Sequence, residues 1–472
     1  MRHMKKKHYK EKHTVKVLLT ILLFLVLLTS CRVENKNPIP EEKELNDIPT
    51  LTTEVEDEEQ EIAIPTEPLE FLSKERYSGI SNNNNTAYFL RSIFREHLWQ
   101  YQPGFTEYGK QYFVKGYLMA YVTDFTTATT KPLCSLEDCS HTSPECEAWI
   151  ESNHINASLL AGKNHLFYIS SQNTESFSYI DILEPDGSDR RRIYTAEKDH
   201  TIENNFLFCD ETYVTFLLTI GYKNSRTPLQ ELITVDIHTF EIVSKHKLQF
   251  PDEHYWTLKA VGIYDNKPLF DHTSYTLNGR EEYMLISGED TTVFTFDVFS
   301  GIITELMSKK SNIDSNFWFS GTMFTGTSFI EFDYTNRVIV EVYLDGSEKI
   351  LSIQLEPSDR NPYPVFLRGT KLLLDYGYPS DPYCVDISTG ELTDFTLMRR
   401  GYIEEELPIE IVAESETEFL VISGLSDEFI SNSPIEYYDN TSGYGGRRNI
   451  YAMILKEDYF NSIPNYRIIT FN

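Results

Sequence analysis

The sequence predicts an all-β fold, a β-propeller of about seven four-stranded blades, on three observations. One turn unit recurs along the chain: an apolar strand ending in Asp, two or three residues, a small or glycine turn residue, then a second strand. Its clearest copies are Asp297-Val298-Phe299-Ser300-Gly301 and Asp386-Ile387-Ser388-Thr389-Gly390. Asp124-Phe125-Thr126-Thr127-Ala128 and Asp236-Ile237-His238-Thr239 repeat it, and Glu184-Pro185-Asp186-Gly187 and Tyr343-Leu344-Asp345-Gly346 are Asp-Gly variants. Such turns accept positive φ and match the twist of a hairpin. The copies fall roughly 40 to 60 residues apart, close to propeller blades with inserted loops. No long segment carries the helical period, and abundant Tyr (30) and Phe (29) favour strands.

The strands follow from the turns. Before each turn lies an apolar run: Phe177 to Leu183, Leu232 to Asp236, Val293 to Asp297, Val338 to Leu344 and Tyr383 to Ile387. Earlier in the units come Leu166 to Ile169, Tyr213 to Ile220, Leu372 to Leu374 and Phe419 to Ile422. Grouped by turn, the blades span about 109–150, 157–197, 204–249, 257–309, 315–356, 363–400 and 408–470. Tyr88 to Gln100 is an extra strand expected to close the ring beside the last blade. Long insertions in 257–309 and 400–450 leave six or eight blades open. Two β-sandwiches are the competing architecture, but they need no single turn motif repeated along the chain.

The N-terminus reads as an export signal. Residues 1–30 hold seven Lys or Arg against Glu11 alone, then an apolar run from Val17 to Leu28. That run is shorter than the roughly 20 residues a spanning helix needs and has the length of a signal-peptide core. Leu28-Thr29-Ser30-Cys31 resembles the lipobox of bacterial lipoproteins. The resemblance implies cleavage before Cys31, a diacylglyceryl thioether on Cys31, and anchoring to the outer face of the cell membrane. An ordinary secretory cleavage or an uncleaved anchor is the alternative. Residues 31–85 read as a disordered acidic linker: Pro38, Pro40, Pro65 and Pro68 flank a run from Glu54 to Glu61, with too little apolar content to offset ordering entropy. The propeller domain is then expected over residues 86–472.

Charge narrows the partners. The chain carries 72 acidic against 42 Lys and Arg residues, a formal charge of -30. Loss of residues 1–30 makes it more acidic still. Such a surface repels nucleic acid and anionic headgroups. It is also simply a soluble surface.

The most specific chemical signal is a C-x4-C-x-H-x4-C segment: Cys134, Cys139, His141 and Cys146. Three thiols and an imidazole in one polar loop form a closed Cys3His set of the kind that holds structural zinc. The alternatives are a disulfide with one thiol left over, or free thiols. Three Cys beside a His favour metal, because a disulfide leaves a leftover. Cys209 and Cys384 sit in apolar strand runs and read as buried thiols.

Lys131-Pro132-Leu133-Cys134, then Cys139, His141, Cys146 and Ala148-Trp149, resemble a segment of uncharacterised Gram-positive lipoproteins. Those proteins have a propeller-like, TolB-like domain. Tyr451-Ala452-Met453-Ile454 and Glu457-Asp458-Tyr459 look like the same family's ending. The resemblance implies a secreted propeller and brings no activity with it.

No Walker A loop, Gly-x-Ser-x-Gly elbow, His-Glu-x-x-His helix or EF-hand loop is present. The expected function is a surface-anchored binding or scaffold propeller whose ligand is a cell-wall glycan, a peptide or an envelope protein. An extracellular glycan-active enzyme is the second reading. It needs two acids roughly 5–10 Å apart on inner strands, for which Asp181, Asp375 and Asp381 are candidates. A metal or redox sensor using the Cys/His loop is the third.

Overall fold

Each recurring aspartate caps the turn it begins. The Asp124 carboxylate accepts the backbone N–H groups of Thr126 and Thr127 at 2.7 and 3.2 Å. Asp236 does the same for His238 and Thr239, and Asp297 for Phe299 and Ser300. The turn then passes through positive φ, at Ala128, Phe240, Gly301 and Gly390. Glycine is needed at Gly301 on packing grounds as well, because a Cβ there would lie 2.6 Å from Nδ1 of His246. The local chemistry of the Asp turn therefore sets where each outer strand begins.

The structure is a computed structural model that describes residues 52–54, 68–73, 81–83, 86–93, 100–106, 109–141, 145–152, 157–171, 177–220, 229–249, 255–278, 285–311, 323–333, 336–354, 363–375, 382–400, 406–429 and 447–471. Within these the chain is a seven-bladed β-propeller, each blade built on four successive antiparallel strands. Blade 2 shows the plain pattern: Ala157–Ala161, Leu166–Ser170, Tyr179–Leu183 and Arg191–Thr195, paired in that order. Blades 4 (Tyr255–Ser311), 5 (Met323–Gln354), 6 (Tyr363–Asp394) and 7 (Glu410–Ile468) repeat it.

The core lies between blades, and so the ring closes. Leu160, Phe167 and Ile180 of blade 2 pack on Leu207, Phe216 and Ile233 of blade 3. Equivalent clusters fill each following junction. The last sets Val412, Leu420 and Met453 of blade 7 against Ala87, Phe125 and Ala128 of blade 1. A sheet buried on both faces needs apolar residues on both. That is why Leu166–Ser170 and Phe206–Cys209 are buried at every position instead of alternating. Each Leu or Phe so buried contributes roughly 1.5–3 kcal/mol.

Three expectations are corrected. Tyr88 to Gln100 is not an extra strand beside the last blade. Thr86–Ile93 is the second strand of blade 1, antiparallel to Gly109–Asp124, and Ser81–Asn83 is the first. Blade 1 thus begins at residue 81 and not near 109, because the long third strand Gly109–Asp124 needs inner neighbours. Ring closure falls instead to Thr470–Phe471, which runs parallel to Thr129–Pro132. Arg467 secures it with hydrogen bonds to the carbonyls of Phe125 (2.7 Å) and Thr126 (2.9 Å) and an ion pair to Glu418.

Most of the linker lies outside the described residues, but its described parts are strands. Within 31–85, Glu70–Ser73 pairs with the inner strand Phe206–Cys209 of blade 3, and Thr52–Glu54 pairs with the outer strand Ile242–Gln249. Leu72 enters the core between blades 2 and 3, while Leu69 and Phe71 enter the next. These short segments gain order from long-range sheet edges that local composition does not reveal. The signal segment, the lipobox and Cys31 lie outside the described residues. Among the described residues no helix is long and apolar enough to cross a membrane. A short helix, Lys456–Phe460, places Tyr459 fully buried against Phe395 and Phe419.

Candidate metal centre

The Cys/His segment interrupts the outer strand of blade 1. That strand is in two pieces, Thr129–Pro132 and Trp149–Ser152, both paired to Gly109–Asp124. Ala120 sits at the seam. Its carbonyl accepts the N–H of Leu133 at 2.8 Å and its N–H donates to the carbonyl of Ala148 at 2.9 Å. The intervening loop leaves the sheet and returns to almost the same rung.

Local hydrogen bonds shape the loop. Cys139 N–H reaches back to the Leu136 carbonyl, closing a turn between the first two cysteines. His141 has φ +54°, the left-handed conformation that redirects the chain. The Trp149 indole N–H donates to the His141 carbonyl at 3.1 Å, and Trp149 N–H donates to the Cys146 carbonyl at 2.9 Å. The Glu147 carboxylate accepts both the N–H and the hydroxyl of Ser135, at 2.9 and 2.7 Å. Both ends of the loop are thus tied before any ligand is considered. The loop packs on Met119, Ala148 and Trp149, with Cys146 buried and Cys134, Cys139 and His141 half-buried.

All four expected ligands converge. The Sγ atoms of Cys134, Cys139 and Cys146 and a ring nitrogen of His141 lie within 4.8 Å of one another. Nδ1 of His141 is 3.3 Å from Sγ of Cys146. Tetrahedral zinc, with bonds of about 2.3 Å to sulfur and 2.0–2.1 Å to nitrogen, spaces its ligands about 3.5–3.8 Å apart. The set needs a contraction of about 1 Å at its widest pair to reach that geometry. Among the described residues no two cysteines are bonded to each other. Burial pushes the Cys146 thiol up to about 12, while the His141 backbone N–H lowers Cys139. A bound cation replaces the thiol protons and removes the penalty of burying Cys146 as an anion. Cys3His chemistry suits zinc better than calcium or magnesium, which take oxygen ligands. With four protein ligands such a centre has no open position for substrate.

The other sequence candidates part company. Asp181 is buried on the third strand of blade 2, away from the inner strands. It is held by Arg190 and Arg192 at 2.7 Å each, and the Arg192 guanidinium lies over the Tyr179 ring. It is a structural ion-pair anchor. Asp375 ends the second strand of blade 6, its side chain outside the described residues, as is Asp381. Cys209 and Cys384 are buried, as their apolar runs imply, and burial raises both thiols.

One acidic cleft was not visible in the sequence. Glu70, from the segment read as linker, meets the inner turns of blades 2 and 3 at a cavity of about 240 Å³ with Asp210 and Glu211. Its carboxylate accepts the Lys163 N–H at 2.9 Å, Glu211 accepts from Asn164, and Asp210 caps Thr212 and Tyr213. A hydrophobic pattern strong enough to place Glu70–Ser73 as a strand would have found it; four residues are too few.

No protein-family model matches the chain, and no curated protein matches its sequence. Solved structures align with it at low identity. Pyrococcus horikoshii acylaminoacyl peptidase aligns at 11% identity with a TM-score of 0.42, over 85% of this chain and 52% of that one. TolB from Acinetobacter baumannii aligns at 12% identity with a TM-score of 0.31, over 81% and 79%. A puromycin hydrolase aligns at 10% identity with a TM-score of 0.40, over 80% and 58%. The chain spans about half the length of the acylaminoacyl peptidase chain it matches. The propeller itself is read from this chain's own strand order and pairing.

Proposed function

We propose that this chain is a lipid-anchored binding or scaffold propeller stapled by one structural zinc ion. The observation that carries the reading is the convergence of Cys134, Cys139, His141 and Cys146 on one point at the rim of a closed ring. Four protein ligands leave no reactive position, so the metal holds shape and the propeller surface does the recognising. Leu28-Thr29-Ser30-Cys31 and the basic, apolar leader before it support anchoring through Cys31 on the outer face of the membrane. The formal charge of -30 supports a neutral or cationic envelope partner, a cell-wall glycan or a surface protein, over nucleic acid.

The test has two parts. The full chain, purified from membranes in detergent without chelator, is expected to carry one zinc per chain and to lose it in Cys139→Ser. Cys31→Ser is expected to release the protein from the membrane fraction and to abolish incorporation of a labelled fatty acid. A chain with no metal and two thiols fewer than its sequence holds would replace the zinc by a disulfide. A Cys31→Ser protein that stays membrane-bound would remove the anchor.

A further inference from the structure

We infer that metal binding in the Cys/His loop controls closure of the propeller ring. The inference rests on the zinc reading above and adds a regulatory consequence to it. The argument begins at the split outer strand of blade 1. Its first piece, Thr129–Pro132, is four residues long and pairs with Tyr121 to Asp124 on one side. On its other side it receives the C-terminal strand, with Thr470 opposite Thr129 and Phe471 opposite Thr130. Thr470 N–H donates to the Ala128 carbonyl at 3.0 Å. The same short piece therefore carries both its own blade and the pairing that closes the ring.

A four-residue strand has few pairings to offset its backbone entropy, and only a handful of hydrogen bonds, Ser135 to Glu147 and Trp149 to His141 among them, restrain the loop that follows it. The ligand positions bracket the weak point. Cys134 lies two residues beyond the first piece and Cys146 three residues before the second. A metal that joins them fixes the two pieces of the outer strand relative to each other across the Ala120 seam. Leu133, between Pro132 and Cys134, also supports blade 2: a Cβ on Gly187 would lie 2.6 Å from its carbonyl oxygen. Movement at the base of the loop therefore reaches the closure strand on one side and the neighbouring blade on the other. Blade 4 has no part in this path and serves as the internal reference.

The experiment is amide hydrogen exchange on the full chain in detergent, zinc-loaded, chelator-stripped and reloaded, with zinc per chain measured in each sample. Stripping is expected to speed exchange about tenfold or more at both Thr129–Pro132 and Thr470–Phe471. Exchange in Lys267–Asn278 of blade 4 stays as it was, and reloading restores the rest. If the 134–146 loop loosens but both strands keep their protection, the coupling is overturned while the zinc site stands. If no zinc binds in any sample, the zinc reading fails and takes the coupling with it. Linkage supplies a second measurement. Arg467→Gln weakens closure without touching a ligand, so zinc affinity is expected to fall about 5-fold or more. A loosened closure strand with unchanged zinc affinity overturns the inference.

Discussion

Blade 1 and blade 3 both exceed four strands, and they are secured by different means. Blade 3 is clamped from both edges by the N-terminal segment, with Glu70–Ser73 inside and Thr52–Glu54 outside. Its inner clamp works by apolar burial: Leu72 is buried, and the Phe71 ring lies tilted against Phe208 with centroids 5.2 Å apart. Blade 1 has a broken outer strand, and the material bridging the break is a polar loop that carries three cysteines and a histidine. One edge has enough hydrocarbon to hold itself. The other closes the whole ring with a short, interrupted strand and brings a cluster of three cysteines and a histidine to the interruption. The difference teaches that extra strands need either a core behind them or a crosslink beside them.

The comparison is broken most severely at the metal. Stripping zinc, or making Cys139→Ser, is expected to lower stability by about 3 kcal/mol, the order of closing a loop of this length. Urea unfolding of loaded and stripped protein measures it; equal midpoints would make the loop a bystander.

Leu72→Ala tests the other clamp. It is expected to cost about 2 kcal/mol and to leave zinc content at its wild-type value. A loss of zinc in this variant would mean that the two blades are not independently secured.

The smallest effect falls outside both clamps. Burial lowers His272 of blade 4 to about 4, below its ordinary value of 6.5. Below pH 6.5 the unfolded chain binds a proton there that the folded chain refuses until about pH 4. Stability from this group is therefore whole above pH 6.5 and declines as pH falls towards 4. His272→Gln is expected to flatten the fall between pH 7 and pH 5.5 by about 1 kcal/mol. An unchanged pH profile would place His272 in water.

Much of this was legible from the chain because the signals are local. The Asp turns cap their own backbone within three residues, so Asp124, Asp236, Asp297 and Asp386 announce blade after blade. The strands before them are apolar on both faces because a blade is buried on both. Cys134, Cys139, His141 and Cys146 were readable as one ligand set because a single loop holds them all. The misreadings share the opposite cause. Thr86–Ile93 belongs to blade 1 through pairing with Gly109–Asp124, across a long insertion. Glu70–Ser73 finds its partner at Phe206–Cys209, more than a hundred residues away. Neither pairing leaves a trace in the composition of the short segment involved.

By itself, then, the sequence determined the repeating blade, the capped turns and the membership of the Cys/His cluster, all set by contacts within one strand pair or one loop. Tertiary structure alone decided how the ring closes, which blade receives the N-terminal strands, and that Asp181 serves a pair of arginines and not the channel. Those outcomes depend on which distant edges offer unpaired backbone and which carboxylates meet a guanidinium, and both are fixed only once the blades stand side by side.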